Sequence, residues 1–168
     1  KNMRILQLCK KFPFPLNDGE SIAVTNLSKS LDALGCEVSL LAMNTSKDYI
    51  DISKLPDEVD HYNRMEYTYV NNDVTAGRAI VNLFSSESFH LSRFKSEEYK
   101  EQLIKMLNEN EYDIIQLETL YLAPYIETIK KMGSTYLFVD FGSGQLDYLK
   151  EELGAENVFV LDHHIPVP

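Results

Sequence analysis

The sequence contains only two cysteines, Cys9 and Cys36, in 168 residues. So few cysteines exclude a disulfide-rich scaffold. Both lie in apolar, strand-like segments, which favours two buried thiols in the core over a disulfide. A metal site on these residues would need more ligands than two cysteines supply.

Basic residues are outnumbered by acidic ones: 16 Lys and Arg stand against 26 Asp and Glu, a formal net charge of -10. Proteins that bind nucleic acid owe much of their affinity to basic groups that displace counterions from phosphates. This charge has the wrong sign for that task. We therefore predict no nucleic-acid partner for the chain as a whole.

Long apolar runs are absent, since no run approaches the ~20 residues that a membrane-spanning helix needs. The N-terminus leads into a strand-like segment and does not resemble a signal peptide. We therefore expect no transmembrane segment and a cytoplasmic location. Glycine and proline are also sparse, at 7 and 6 residues, whereas 44% of the chain is hydrophobic. This composition excludes collagen-like and disordered chains and predicts one globular core.

The first 42 residues alternate between strand and helix patterns. Residues 5–9 and 36–42 are short apolar runs. Between them Val24, Leu27, Leu31 and Leu34 recur with a helical period. We expect Ser21 to cap this helix and Gly35 to end it in the left-handed conformation. A strand, a helix and a strand with short connections predict a right-handed parallel unit.

The rest of the chain continues the alternation. Further strands are predicted at 65–70, 113–117, 136–141 and 157–161. Helices are predicted from Ser96 onward, from Pro124 to Lys131 and over 145–153, with an irregular helix at 74–84. The predicted fold is α/β: a Rossmann-like parallel sheet of about six strands, with helices on both faces in a three-layer sandwich. We expect one domain over residues 1–168.

Several stretches carry a family resemblance: 3–15, 18–23, 92–96 and 112–118. Together they make residues 3–131 resemble the N-terminal half of a GT-B glycosyltransferase of the retaining, family-four type. The resemblance implies an acceptor-side domain, with the nucleotide sugar held mainly by a second domain and the chemistry in the cleft between them. The full enzyme would transfer a hexose from a nucleotide sugar to a glycan or lipid-linked acceptor, with no cofactor required. Because these residues resemble only the first half, we expect a truncated chain that is inactive alone.

The resemblance assigns binding residues to the loop after the first strand. Asp18, Gly19 and Glu20 would meet the acceptor or the diphosphate of the donor. Glycine permits close approach there, and the amides of the following helix point at an anion. The alternative is an ordinary glycine turn before a helix cap.

Two further candidate groups lie later in the same region. Glu118 and Thr119 end a strand at the edge where α/β sheets place their chemistry. A carboxylate there either orients a sugar hydroxyl or is a solvated loop residue. Arg93 and His90 precede the helix at Ser96, where they either bind an acidic group of the acceptor or are simply exposed.

The last part of the chain resembles a different family. Residues 136–144 end a strand in Asp-x-Gly-Ser, and residues 158–166 end the next strand in Asp-His-His. This pairing resembles the second and third motifs of the DHH (RecJ-like) phosphoesterases. It implies a metal site made of Asp140, Asp162, His163 and His164, to which Mn²⁺ suits the donor atoms.

The phosphoesterase motifs are incomplete, because no His-x-Asp-x-Asp occurs in the chain. A two-metal hydrolase needs more carboxylates than these. The alternatives are therefore adventitious Mn²⁺ binding, residual phosphoesterase activity, and a polar rim without a ligand.

The two resemblances meet near residues 131–134. Residues 132–168 hold six acids and one base, a denser acidic segment than the first 131 residues. Natural fusions join whole domains at linkers, whereas this boundary falls inside a predicted sheet. We therefore expect an engineered chimera of the two families, either an inactive acceptor-side domain or a folding object without a selected activity.

Overall fold

The computed structural model describes residues 2–73, 94–130, 134–139 and 146–161, and these residues contain one parallel sheet. Its strands are β1 (Arg4–Cys9), β2 (Glu37–Thr45), β3 (Arg64–Val70), β4 (Ile114–Leu117), β5 (Thr135–Val139) and β6 (Val158–Leu161). Every neighbouring pair is parallel, and the order is β3-β2-β1-β4-β5-β6. The predicted six-stranded Rossmann-like sheet is confirmed, and the order is that of dinucleotide-binding folds.

Helices cover both faces of this sheet. They are α1 (Gly19–Ala33), α2 (Glu97–Glu109), α3 (Ile126–Ile129) and α4 (Leu146–Leu153). Short 3₁₀ helices lie at Ile52–Lys54, Asp57–Val59, Leu120–Tyr125 and Ala155–Asn157. One core packs α1 and the segment around Val59 against one face of the sheet, on strands β1 and β2. The other core joins α2, α3 and α4 to the opposite face, so the three-layer arrangement is confirmed.

Helix α1 differs from its prediction at its N-cap and in one residue of its apolar face. Asp18, and not Ser21, is its N-cap: the Asp18 carboxylate accepts a 2.9 Å hydrogen bond from the Ser21 backbone N–H. Leu34, predicted on the apolar face, stands at the C-cap position and is 80% exposed. Val24 is buried as predicted, together with Ser21, Thr25 and Ser28, while Leu27 and Leu31 are half-buried. Gly35 is left-handed as predicted, with φ of 86°.

Helix α2 follows its prediction. Ser96 caps it by accepting a hydrogen bond of 3.1 Å from the Tyr99 backbone N–H. Its buried side chains are Tyr99, Leu103, Met106 and Leu107. The predicted helix from Pro124 is a 3₁₀ helix followed by the short α3. Pro124 has no N–H to donate to the Leu120 carbonyl, as an α-helix over 120–125 would require, and the α-helical turn begins at Ile126.

The sheet is continuous on either side of the predicted seam. Strand β5 pairs with β4 in parallel register, with Ile114 opposite Thr135 and Leu117 opposite Phe138. Residues 131–133, at the seam itself, lie outside the described residues, as does the predicted irregular helix at 74–84. Among the helices described, none has the length and apolar character needed to cross a bilayer.

Candidate functional site

The strand order places a switch point between β1 and β4. From β1 the chain builds the sheet outward through β2 and β3, then returns to the other side of β1 to begin β4. Loops that leave β1 and β4 therefore diverge to opposite sides and open a crevice outside the carboxyl ends of these strands. Ligands of open α/β sheets bind in this crevice.

The loop from β1 to α1 is held by Asp18. Besides capping the helix, its carboxylate lies 2.5 Å from Lys11 Nζ. The pKa of the Asp18 carboxyl is lowered, first by the hydrogen bond from Lys11 and then by that from the Ser21 N–H. Asp18 thus shapes the loop and fixes the direction in which α1 leaves it.

Gly19 is the first residue of α1. A methyl group added at Gly19 would meet no atom within 4 Å. The position therefore has open space where a side chain would lie, and the predicted ligand contact at Gly19 stays a prediction.

Lys10, at the end of β1, links this loop to the segment after β4. Its Nζ lies 3.0 Å from Glu20 Oε2 and 4.8 Å from the centroid of the Tyr121 ring. The Phe94 ring packs on the Tyr121 ring, with 4.7 Å between the two centroids. A cation, a carboxylate and two aromatic rings therefore meet above the switch point.

These side chains line a pocket of about 300 Å³ at the carboxyl edge of the sheet. Its lining residues come from the ends of β1 to β4 and from the starts of α1 and α2: Lys10, Lys11, Glu20, Lys47, Asp48, Asn72, Phe94 and Tyr121. Of the predicted binding residues, Glu20 is in this lining. The other lining residues were not predicted, although the pair Lys10-Lys11, directly after a buried strand, was a usable signal.

A buried polar network lies beneath the switch point. Glu118 Oε1 accepts a 3.0 Å hydrogen bond from Gln7 Nε2 and a further hydrogen bond from Gln116 Nε2. Gln7 Oε1 in turn accepts a 2.8 Å hydrogen bond from the Tyr62 hydroxyl. Both glutamines are fully buried and Glu118 is 5% exposed. The predicted alternative of a solvated loop residue is therefore wrong for Glu118, because its carboxylate turns into the protein.

The charge of Glu118 acts on its neighbour Cys9. Burial raises the pKa of the Cys9 thiol well above its ordinary value, and the Glu118 charge raises it further. Both cysteines are free, and Cys36 is half-buried. Two thiols without a disulfide are thus confirmed, although only Cys9 is fully in the core.

Thr119 follows Glu118 and is half-buried at the N-cap position of a 3₁₀ helix. Its hydroxyl makes no hydrogen bond within the described ranges and does not cap that helix. Its predicted contact with a sugar hydroxyl stays a prediction.

The remaining predicted residues lie outside the described ranges. They are His90, Arg93, Asp140, Asp162, His163 and His164. Within the described ranges, no three His, Cys, Asp or Glu side chains form a group that could hold a metal ion. The proposed Mn²⁺ cluster consists entirely of residues outside them, so it stays a prediction.

No protein-family model and no curated protein matches the sequence. One solved structure with a similar fold is UGT2 of Phytolacca americana, complexed with UDP-2fluoro-glucose and pterostilbene. The identity is 11% and the TM-score 0.49. The alignment covers 95% of this chain and 36% of the length of that one.

Proposed function

We propose that this chain is the acceptor-side domain of a glycosyltransferase and that the switch-point pocket binds a sugar of the acceptor. The observation that carries the proposal is the composition of this pocket at the position where open α/β sheets bind ligands. The resemblance of residues 3–131 to family-four glycosyltransferases supports it independently.

The pocket lining suits a sugar. The Phe94 and Tyr121 rings contribute apolar surface to the lining, which suits the C–H side of a pyranose. Glu20 and Asp48 can accept hydrogen bonds from hydroxyl groups, while Lys10 and Asn72 can donate them. At about 300 Å³ the pocket is at the lower end of the ~300–1,000 Å³ range of ligand sites. It therefore suits one sugar ring.

Transfer itself is proposed only for a longer enzyme. The donor nucleotide sugar would bind mainly to another domain, and a hexose would pass to a glycan or lipid-linked acceptor with retention of configuration. We expect the 168 residues alone to bind the acceptor without transferring sugar. A coupled assay that detects nucleotide diphosphate release above the blank from a panel of nucleotide sugars would contradict this expectation.

Binding is tested with Tyr121→Ala on an array of immobilised glycans. This variant removes an aromatic ring of the lining that also lies beneath Lys10, so we expect at least a tenfold loss of affinity for the retained glycan. Phe159→Ala is the matched control, since Phe159 is an aromatic residue 58% exposed on β6, two strands beyond β4 and outside the pocket lining. Retention of no glycan by the wild-type chain would overturn the proposal, as would equal affinities of both variants.

As a second function we propose Mn²⁺ binding by the phosphoesterase-like segment. One observation favours it: β5 and β6 are adjacent and in register, with Val139 opposite Leu161. Positions 140 and 162, where the motif carboxylates stand in the sequence, therefore each follow the end of one of two neighbouring strands. Hydrolysis is not expected, because further carboxylates would be needed to hold a second metal ion.

The metal proposal is tested by thermal melting in the presence of Mn²⁺. A ligand that binds only the folded state raises the melting temperature with its concentration. We expect a rise that Asp140→Ala abolishes. A melt that is unchanged by Mn²⁺ would contradict the metal proposal, and a cooperative melt unchanged by both Mn²⁺ and glycan would favour a chimera without selected activity.

A further inference from the structure

Three exposed tyrosines lie together beside the pocket, on the edge strand β3 and the loop after β2. Tyr67 and Tyr69 alternate along β3 and so share one face of the sheet. They are 47% and 56% exposed, and Tyr49 is 64% exposed. The Tyr49 and Tyr69 rings meet edge to face, with centroids 6.3 Å apart. Tyr49, Tyr67 and Tyr69 together form a tyrosine platform.

The platform adjoins the pocket through short chain segments. Tyr49 directly follows Lys47 and Asp48, which line the pocket, and Tyr69 precedes the lining residue Asn72 by three positions. Asn72 Oδ1 accepts hydrogen bonds from Ser46 Oγ at 3.0 Å and from the Lys47 backbone N–H at 3.3 Å. These bonds tie the end of β3 to the loop after β2, so the two segments that carry the platform also carry pocket residues and are held together.

The loop that carries Tyr49 is fixed from below. The Asn44 side chain is buried, at 3% exposure, and bonds both backbone groups of Ile50. Its Nδ2 donates to the Ile50 carbonyl and its Oδ1 accepts from the Ile50 N–H, each at 2.9 Å. A buried side chain therefore holds the residue next to Tyr49, which reduces the entropy that a ligand must remove on binding.

We propose that the tyrosine platform binds the sugars that follow the one in the pocket, so that the acceptor is a glycan chain rather than a single sugar. This inference rests on the proposed function, because it takes the pocket as the site of the first sugar. Aromatic rings held half-exposed next to hydrogen-bonding groups suit sugars, which present apolar C–H faces and hydroxyl edges. Nucleic acid, which also stacks on aromatic rings, is disfavoured by the net charge of -10.

The test uses one series of glycans, from monosaccharide to long oligosaccharide, built from the repeating unit of the glycan that the protein binds on the array. It compares the affinity of the protein for each member of the series. We expect affinity to rise with length in the wild-type chain. The Tyr67→Ala/Tyr69→Ala pair is expected to lose about tenfold for the long members and nothing for the monosaccharide. Tyr49→Ala, in a loop outside the sheet, is expected to act in the same direction. Tyr69→Phe keeps the ring and is expected to keep the affinity.

Controls separate this inference from the proposed function. Phe159→Ala is expected to leave every affinity unchanged, and Tyr121→Ala to weaken short and long glycans alike. Length-independent binding, or long-chain binding that survives loss of the tyrosines, would overturn the platform while leaving the pocket in place. Retention of no glycan at all would overturn both. Thermal melts of each variant show whether a loss of affinity reflects a loss of folding.

Discussion

Gln7 Nε2 donates a 3.0 Å hydrogen bond to Glu118 Oε1 and so joins β1 to β4 at the switch point. Gln7 also accepts from the Tyr62 hydroxyl at 2.8 Å, from the layer that covers this face of the sheet. Burial raises the pKa of Tyr62, so this hydroxyl stays protonated and remains a donor. One amide side chain therefore satisfies a buried hydroxyl and a buried carboxylate at once.

Replacing Gln7 with leucine is expected to lower the free energy of unfolding by about 3 kcal/mol, since Tyr62 and Glu118 would each lose a buried partner. Urea denaturation measures the change. The control Asn26→Ala, at an exposed position of α1, should stay within about 0.5 kcal/mol of wild type. A Gln7→Leu chain as stable as the control would show that the network contributes nothing to folding.

Asp18→Asn separates the charge of the cap from its shape, because asparagine caps helices about as well as aspartate. The folded-state pKa of Asp18 is depressed, so the stabilisation by its charge is present above the unfolded pKa of about 3.9. It is lost as the pH falls through the lower folded-state pKa. Because the carboxylate is partly exposed, we expect less than about 1 kcal/mol.

The pH dependence of unfolding measures this effect. Wild type and Asp18→Asn should differ most near neutral pH and converge in acid. A difference that grows as the pH falls below 4 would contradict the assigned role of the Lys11 pair.

Alanine is expected to affect stability differently at Gly19, the first residue of α1, and at Gly35, just after its end. Gly35→Ala is expected to lower the free energy of unfolding by about 1 kcal/mol, because φ of 86° is strained for an L side chain. Gly19→Ala should not be destabilising, since nothing lies within 4 Å of the added methyl, yet it should weaken glycan binding by occupying the approach to α1. Thermal melts of both variants test the predicted stabilities, and array affinities test the predicted loss of glycan binding. Equal melting temperatures, or unaltered binding by Gly19→Ala, would contradict these expectations.

The cysteines should differ in their reaction with a thiol reagent. Cys9 is buried and its pKa is raised by burial and by Glu118, and thiols react as thiolates. We expect Cys36 to react first in the folded chain and Cys9 only on unfolding. Labelling of Cys36→Ser with iodoacetamide, followed by mass spectrometry, should show modification only in denaturant. Rapid labelling of folded Cys36→Ser would contradict the burial of Cys9.

The strands were predictable from the sequence because parallel strands buried on both faces appear as short apolar runs. The cap of α1 was not, since Asp18 and Ser21 are both residues that cap helices and only the structure shows which one starts the helix. Burial of Glu118 was missed because a carboxylate at a strand end is usually solvated. Gln116 and Glu118 are two positions apart, so they lie on the same face of the sheet. A polar pair on that face was a usable sign of a network.

The pocket could not be assembled from the sequence. Lys10, Lys47, Asn72 and Tyr121 belong to four different loops, and no spacing along the chain relates them. They meet only because the order β3-β2-β1-β4 places four carboxyl strand ends side by side. Sequence patterns predict the strands, whereas the site depends on the order of the strands in the sheet.

The central claim is that the switch-point pocket binds a sugar, and its most direct measurement is a nuclear magnetic resonance titration of the isotope-labelled chain with the retained glycan. Shifts are expected at the backbone amides of Lys10, Glu20, Lys47 and Tyr121, with those of β6 unchanged. Saturable shifts confined to other parts of the sheet, or no shifts at all, would contradict the claim.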